Sequence, residues 1–335
     1  MTDRKIGDTM VWPIGLGCMN LSHAYGPPTP PDEASALLNS ALDQGCNFLD
    51  TATIYGAGTN EELIASSIGH RRDEYFLASK CVLAVKDGKR VLDARPESIK
   101  AACDASLKRL NTDIIDLYYM HRPDPNVPIE DSVGALSDLV DAGKIRFIGL
   151  SEMGAGLVRR AHAVHPIAAL QTEYSLWVRN PEIAVLDLCR ELDIAFVAFS
   201  PVGRGFLADP PYDPATMQDG DMRRLFPRFS AENYPGNLAL LEQARSLAAE
   251  VGCTVAQLAL AWLLAKGDHI LPIPGTTRTD HLKDNIEAGR ITLPAHIVEQ
   301  LDAHFAPRSA VGPRYAPKMQ ATVDTERFDF VQGEA

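Results

Sequence analysis

The chain has 335 residues, and 46% of them are apolar, so it can bury a large core. Length alone favours two domains, although α/β barrels of this size are commonly one domain. The net charge of -12 argues against nucleic acid as a partner, because phosphate binding draws on clustered lysine and arginine.

The cysteines and the apolar segments indicate a cytoplasmic chain. Six cysteines occur without any C-x-x-C pair, so neither a zinc site nor a dithiol redox motif is predicted, and no metal is expected. The start of the chain, MTDRKIGDTM, lacks the apolar core of a signal peptide. The segment TVAQLALAWLLAKGD is too short to span a bilayer and predicts a buried helix, so no membrane partner is expected.

Eight short runs, nearly continuous in apolar residues and bounded by Gly, Asp, Asn or Pro, predict strands buried on both faces. They are MVWPIGLGC (10–18), CNFLDT (46–51), EYFLASKC (74–81), DIIDLYYMH (113–121), IRFIGLS (145–151), IAALQTEY (167–174), IAFVAFS (194–200) and DHILPIPG (268–275).

Helical patterns separate these runs, with apolar residues at steps of three and four. Examples are PDEASALLNSALDQG (31–45), RPESIKAACDASLKRLN (95–111), PIEDSVGALSDLVDAGK (128–144) and NPEIAVLDLCRELD (180–193). Eight strand-helix units predict an eight-stranded (β/α)8 TIM barrel. A doubly wound sheet fits less well, because GLGCMN does not complete G-x-G-x-x-G.

We therefore expect one barrel domain over residues 1–335, with a long lid loop at about 201–236 and a C-terminal tail at about 307–335. Proline, aspartate and glycine recur through the loop, so no long helix or strand is predicted there. Loops of this length in compact domains tend to be functional or disordered, and the arginines and aromatic residues in this one favour an ordered lid.

Four polar residues follow three successive strands, at the strand ends where barrels of this kind carry their active sites. Asp50, Lys80 and His121 each close a run, and Tyr55 lies in the loop after Asp50. A nearby ammonium should lower the pKa of a phenol, and a carboxylate should hold that ammonium. The set predicts a general acid for a carbonyl oxygen that gains negative charge.

Each residue alone has a structural interpretation. Asp50 suits a turn or helix cap, Lys80 a solvated strand end, and His121 a structural hydrogen bond. A barrel aldolase or isomerase that uses Lys80 as a Schiff-base amine is a further alternative, although the adjacent Asp50 should keep that amine charged. The joint placement of the four residues favours catalysis of hydride transfer.

Seven motifs in order make the chain resemble the aldo-keto reductase family: FLDTATIYG, LASK, YYMHRPDP, GLSE, LQTEYSLW, FSPVGRGFL and PIPGTTR. The resemblance implies NADPH-dependent reduction of aldehydes and ketones, or the reverse oxidation of alcohols. It makes Tyr55 the proton donor, tuned by Lys80 and Asp50, with His121 positioning the carbonyl. The subgroup most similar in DMRRLFPRFSAENYPGN and GPRY contains bacterial and plant reductases of broad aldehyde specificity. Resemblance to channel β-subunits leaves a nucleotide-binding, redox-sensing regulatory subunit open.

The resemblance also implies the cofactor residues, which are Ser151, Gln171, Ser200, Pro201, Gly203, Arg204, Gly275, Thr276, Arg278, Asp284 and Asn285. Ser151 and Gln171 match positions that hold the nicotinamide carboxamide, and Tyr174 is either near them or in the core. A guanidinium at a helix start suits a phosphate monoester, so Arg278 favours NADPH over NADH. The sequence departs from commoner members at Asp284, where glutamate is usual, and at Glu152, where asparagine is usual.

The substrate wall is expected from the first loop, the segment EYSLW and the lid. Its candidate residues are Met19, Tyr25, Trp177, Arg223, Arg224, Phe226 and Phe229. This mixture predicts an apolar carbonyl or alcohol substrate of moderate size, although the bulky residues could equally pack the lid.

Overall fold

The computed structural model describes residues 3–22, 24–86 and 89–328. Its strands are β1 (Arg4–Ile6), β2 (Thr9–Val11), β3 (Leu16–Gly17), β4 (Phe48–Asp50), β5 (Phe76–Cys81), β6 (Leu83–Lys86), β7 (Lys89–Leu92), β8 (Ile115–Met120), β9 (Ile145–Ser151), β10 (Ile167–Glu173), β11 (Ala195–Phe199) and β12 (Ile270–Pro272).

The α-helices are α1 (Pro31–Asp43), α2 (Thr59–Ile68), α3 (Pro96–Leu110), α4 (Ile129–Asp141), α5 (Ala155–Val164), α6 (Val185–Glu191), α7 (Tyr234–Leu238), α8 (Leu240–Val251), α9 (Val255–Ala265), α10 (Thr279–Ala288), α11 (Ala295–His304) and α12 (Pro317–Gln320). The predicted helices agree with these bounds to within a few residues, except that 180–193 divides into a 3-10 turn, Asn180–Ile183, and α6.

The eight parallel strands form one sheet in the order β3, β4, β5, β8, β9, β10, β11, β12. The first and last strands meet, because Gly15 N donates to Pro272 O at 3.0 Å and Gly17 N donates to Pro274 O at 3.2 Å. The sheet thus curls into a (β/α)8 barrel, and the predicted fold class is confirmed. All parallel strands end at one mouth of such a barrel, so residues just after them converge.

The first predicted strand, 10–18, is wrong as a single element. Its first part pairs with β1 in an antiparallel hairpin, and only Leu16–Gly17 enters the barrel. Ile6 and Val11 of that hairpin pack in the same buried cluster as the inward-facing Phe48 and Leu117. The hairpin therefore supplies apolar side chains to the barrel interior, and Pro13 separates the two short strands.

The segment predicted as a buried helix forms α9, in which nine of eleven residues are buried. Thr254 and Gln257 make a capping box at its start, which satisfies two backbone N–H groups. No single helix in the described residues is long and apolar enough to cross a membrane. Tyr234–Val251 and Val255–Ala265 reach that length only as a pair bent by 83°.

The predicted lid has no strand in the structure and consists of 3-10 turns at Gly203–Gly205, Pro214–Thr216, Met222–Leu225 and Pro227–Phe229, followed by the short α7. Arg223 lies over the Tyr212 ring, 3.3 Å from its centroid, and over the Tyr25 ring at 4.7 Å. Its guanidinium also forms a buried ion pair with Asp221 at 2.6 Å. These contacts attach the loop to the first loop and to itself.

Barrel closure gives the first testable prediction. A Cβ on Gly15 would lie 2.9 Å from Phe48 O and 2.6 Å from Phe48 Cδ1. Phe48 belongs to the neighbouring strand β4, whose backbone cannot shift without a cost in free energy. We expect Gly15→Ala to lower the free energy of unfolding in urea by about 1–3 kcal/mol. Gly134→Ala in α4, where nothing lies within 4 Å of the added carbon, is the control and should not destabilise. Equal stability of the two variants would contradict tight packing at the barrel seam.

Candidate functional site

The four predicted catalytic side chains meet at the mouth of the barrel. Asp50 ends β4, Lys80 lies near the end of β5, and His121 directly follows β8. Tyr55 begins a 3-10 turn whose next three residues all have positive φ, 56°, 54° and 102°. These three left-handed residues turn the chain back over the strand ends.

Lys80 is the centre of the cluster and its side chain is fully buried. The Nζ atom donates to Asp50 Oδ1, to Thr51 O at 2.8 Å and to the Tyr55 hydroxyl at 3.3 Å. The second carboxylate oxygen of Asp50 accepts from Gln171 Nε2 at 2.7 Å. Lys80 therefore joins the acid and the phenol, as the sequence predicts.

Burial acts to lower the pKa of Lys80, but the charge of Asp50 and the hydrogen bonds with Asp50 and Tyr55 outweigh it and hold the pKa above its ordinary value. The expectation that Lys80 makes Tyr55 acidic is wrong for this structure. Burial raises the pKa of the phenol, and the positive charge of Lys80 opposes that rise without reversing it. The phenol consequently keeps its proton at neutral pH.

His121 lies edge-on to the Tyr55 ring, with centroids 6.0 Å apart and an interplanar angle of 84°. Burial first, and then the charges of Arg122 and Lys80, hold its pKa well below the ordinary value. The imidazole is therefore neutral at neutral pH. Its Nδ1 atom is buried and has no hydrogen-bond partner among the described residues.

A cavity of about 1200 Å³ opens above these residues. Its volume exceeds that of most small-molecule sites, which measure about 300–1000 Å³. The predicted site residues that line it are Met19, Tyr25, Asp50, Tyr55, His121, Ser151, Gln171, Ser200, Pro201, Arg204, Arg223, Phe226 and Gly275. Most of the expected site is thus one continuous space.

The donor set fits the nicotinamide cofactor that the resemblance implies. Ser151 ends β9, and Gln171 lies within the adjacent strand β10. Both residues line the cavity, as does Asp50. A hydroxyl can donate and accept, and a side-chain amide carries both functions. A ligand carboxamide would therefore find complementary groups next to Tyr55.

The expected phosphate loop after β11 has an unusual backbone. Ser200, Gly203, Arg204 and Gly205 all have positive φ, between 49° and 90°. Turns of this kind form concavities in which backbone N–H groups bind anions. The Arg204 side chain is committed elsewhere, because it pairs with Glu173 at 2.9 Å and lies over Phe226, 4.0 Å from the ring centroid.

Four of the expected cofactor residues lie outside the cavity lining, namely Thr276, Arg278, Asp284 and Asn285. Thr276 Oγ1 accepts from Arg278 N at 3.1 Å, and α10 begins directly after Arg278. The exposed Arg278 guanidinium donates to Asp280, with Nε 3.0 Å from Oδ1. Asn285 is buried in α10, and the backbone carbonyl of Asp284 accepts from Gln257 at 3.2 Å.

Several expected wall residues pack the lid instead of lining the cavity. Trp177 stacks on Phe206, with centroids 3.9 Å apart, and meets Phe229 edge-on at 5.4 Å. A Cβ on Gly203 would lie 3.2 Å from Trp177, so this glycine packs against the same ring. Arg224 is exposed and pairs with Asp219.

Tyr174 has the core role that the sequence left open. Its side chain is fully buried and its hydroxyl donates to Glu182 at 2.6 Å.

Two walls of the cavity were not predicted from the sequence. The β6–β7 hairpin contributes Leu83 and Arg90, and the segment after α11 contributes Tyr315, Met319 and others. Arg122 and Phe199 also line the cavity. Arg122 and Phe199 adjoin the predicted site residues His121 and Ser200. Because active sites of barrels lie at the strand ends, both could have been predicted from the sequence.

A buried ion network ties the C-terminal segment to the barrel. Arg314 pairs with Glu152 at 2.7 Å and with Glu173 at 2.8 Å. Glu173 also pairs with Arg204 of the loop after β11. The unusual Glu152, which has φ of 56°, therefore holds the C-terminal segment.

Comparisons with known proteins agree with this architecture. The model of the Aldo/keto reductase family matches residues 13–306. The aldo-keto reductase yakc of Schizosaccharomyces pombe, whose name specifies NADP(+), is 44% identical over 322 residues, which is 94% of each chain.

Solved structures are also similar to this chain. A glycerol dehydrogenase from Gluconobacter oxydans has a TM-score of 0.83 at 26% identity, covering 94% of this chain and 98% of that one. An aldo-keto reductase from Klebsiella pneumoniae, in complex with NADP and acetate, has a TM-score of 0.73 at 26% identity, covering 94% and 99%.

The ion pair at the centre gives a second prediction. Asp50→Asn leaves the buried Lys80 ammonium without its counter-charge, so we expect the free energy of unfolding to fall by about 3–5 kcal/mol. The double variant Asp50→Asn with Lys80→Met removes the buried charge and should recover part of that loss. Urea denaturation measures both.

The matched control is Asp138→Asn, because Asp138 pairs with Lys100 on the surface at 2.7 Å and both side chains are exposed. This substitution should leave stability nearly unchanged. A single Asp50 variant as stable as the control would show that the buried ammonium does not depend on this carboxylate.

Proposed function

The chain belongs to the aldo/keto reductase family, and from that membership we propose that it is an NADPH-dependent reductase of aldehyde or ketone carbonyls. The observation that carries the proposal is the contact of Lys80 with both Asp50 and Tyr55 beneath a large cavity. The reaction is reversible, so the same site would oxidise the corresponding alcohols.

In the proposed reaction Tyr55 donates its proton to the carbonyl oxygen while the carbonyl carbon accepts a hydride. The raised pKa of the phenol keeps that proton in place until the oxygen gains negative charge. Lys80 stabilises the tyrosinate that remains, and Asp50 fixes the ammonium. The neutral His121, edge-on to Tyr55, would donate a hydrogen bond that orients the carbonyl.

The cofactor, when bound, supplies the hydride. Ser151 and Gln171 would hold the carboxamide, and the backbone from Ser200 to Gly205 would take the pyrophosphate. Gly275, Thr276 and Asn285 would border the nucleoside, with Arg278 at the phosphate that distinguishes NADPH.

The alternatives have less support. A Schiff-base role needs a neutral amine, and the raised pKa of Lys80 opposes it. Nothing in the site favours the redox-sensing subunit, because the whole proton-transfer set is in contact. We also propose a cytoplasmic location, in keeping with the six free cysteines.

Tyr55→Phe tests the proton donor. The variant should retain NADPH affinity and lose about 10²–10⁴-fold in kcat with a reactive aldehyde, because only the transferable proton is removed. NADPH fluorescence titration measures binding, and loss of NADPH absorbance measures turnover.

Tyr118→Phe is the control, since this buried phenol does not line the cavity. It should keep wild-type turnover. Retained activity in the Tyr55 variant would rule out the assigned role.

Arg278→Gln tests the cofactor type. The dissociation constant for NADPH should rise on the order of tenfold, and that for NADH should stay unchanged, because only NADPH carries the extra phosphate. The exposed Lys283→Gln on the same helix is the control. Equal weakening of both cofactors would show that Arg278 does not distinguish them.

A further inference from the structure

The lining of the cavity has a charge opposite to that of the whole chain. The chain carries a net charge of -12. Among the described lining residues Asp50 is the one acid, and Lys80 neutralises it. The cations that line the cavity are Arg90, Arg122, Arg204, Arg223 and Lys318. An acidic protein thus presents a positive surface in this cavity.

Two of these cations are neutralised and two near the catalytic centre are not. Arg204 pairs with Glu173, and Arg223 pairs with Asp221. Within residues 3–22, 24–86 and 89–328, neither Arg90 nor Arg122 forms an ion pair with a carboxylate. The guanidinium of Arg122 donates only to neutral oxygens, at 2.7 Å to His121 O and 3.4 Å to Ser151 Oγ.

Both arginines follow strands that carry proposed catalytic residues. Arg90 belongs to the hairpin that follows β5, and Arg122 directly follows His121 after β8. β5 and β8 are neighbours in the sheet and carry Lys80 and His121. The charges of Arg122 and Arg90 both contribute to the lowered pKa of His121, so they act on the reacting region itself.

The phosphates of a dinucleotide are not the natural partners of these two charges. The proposed phosphate segments follow β11 and β12. Two strands, β9 and β10, separate β8 from β11, and two others, β3 and β4, separate β5 from β12. The two arginines therefore lie across the barrel mouth from those segments.

We propose that Arg90 and Arg122 form a subsite for the carboxylate of an anionic carbonyl substrate, a class that comprises aldehydes and ketones with a carboxylate at the end remote from the carbonyl. This inference rests on the proposed reductase function. The apolar lining residues Ile54, Leu83 and Leu92 suit a hydrocarbon or aromatic spacer between the two groups. The carboxylate takes no part in the reaction, in which the carbonyl carbon gains hydride and the oxygen gains the Tyr55 proton.

The test compares 4-carboxybenzaldehyde with 4-formylbenzamide, which has nearly the same size and no charge. With NADPH, the kcat/KM of the wild-type chain should be at least tenfold higher for 4-carboxybenzaldehyde than for 4-formylbenzamide. Arg90→Gln and Arg122→Gln should each reduce that ratio severalfold, and 0.5 M NaCl should reduce it in the wild type by screening. Arg159→Gln, whose arginine pairs with Glu191 on the outer helices, should not change the ratio.

The ratio separates charge recognition from a general loss of activity, because both aldehydes use the same catalytic residues. Arg90 is exposed, so its substitution keeps the test interpretable if the Arg122 variant folds poorly. A wild-type ratio near one, or a ratio that neither substitution changes, overturns the subsite while the reductase proposal stands.

A direct binding measurement covers the case in which neither aldehyde is reduced, which would count against the proposed function itself. Calorimetric titration with 4-carboxybenzyl alcohol in the presence of NADP(+) then decides the subsite. Binding that Arg90→Gln weakens severalfold, and that Arg159→Gln does not, supports it. No binding, or equal binding by all variants, overturns it.

Discussion

A buried ammonium is the constraint on which the site depends. Removing Lys80 from water costs several kcal/mol unless a carboxylate and further acceptors replace the lost hydration. Asp50 at the end of the adjacent strand β4 and Thr51 O directly after it supply those partners. Because the pair needs both strand ends in register, the closed barrel determines the position of the charge, and the charge in turn determines where the Tyr55 hydroxyl lies.

Burial and charge oppose each other around this ammonium, and burial prevails at the phenol. The sequence shows which charges are neighbours but not how deeply they are buried, so it predicted a lowered pKa for Tyr55 where the structure has a raised one. A protonated tyrosine beside a protonated lysine is a donor ready for an oxygen that becomes negative. The same burial keeps His121 neutral, so that in the proposed reaction it would act through a hydrogen bond and not through charge.

Local sequence pattern predicted most of the fold and part of the cavity lining. Alternation of continuous apolar runs with helical patterns sufficed for the barrel, because each strand-helix unit is contiguous in sequence. The prediction of one strand over 10–18 was wrong because the structure has two strands there, of three and two residues, and these are too short to show a periodicity in the sequence. The convergence of the proposed catalytic residues was predictable since parallel strands end together.

The other walls of the site come from contacts that no local pattern shows. Arg314 meets Glu152 across 162 positions of the chain, and the β6–β7 hairpin reaches the mouth from a connection between β5 and α3. Trp177 lies in a family motif, yet its ring packs under the lid because Phe206 and Phe229 complete an aromatic cluster there. Such placements depend on tertiary packing of distant segments.

Glu173 is an acidic group shared by two cavity walls. It accepts from Arg204, which carries the loop after β11, and from Arg314, which precedes the C-terminal wall residues. Arg204 and Arg314 carry two positive charges against the one negative charge of Glu173. Glu152, which pairs with Arg314, supplies the second negative charge. The two walls are therefore electrostatically interdependent, and an anion that drew Arg204 away from Glu173 would change the attachment of the opposite wall as well.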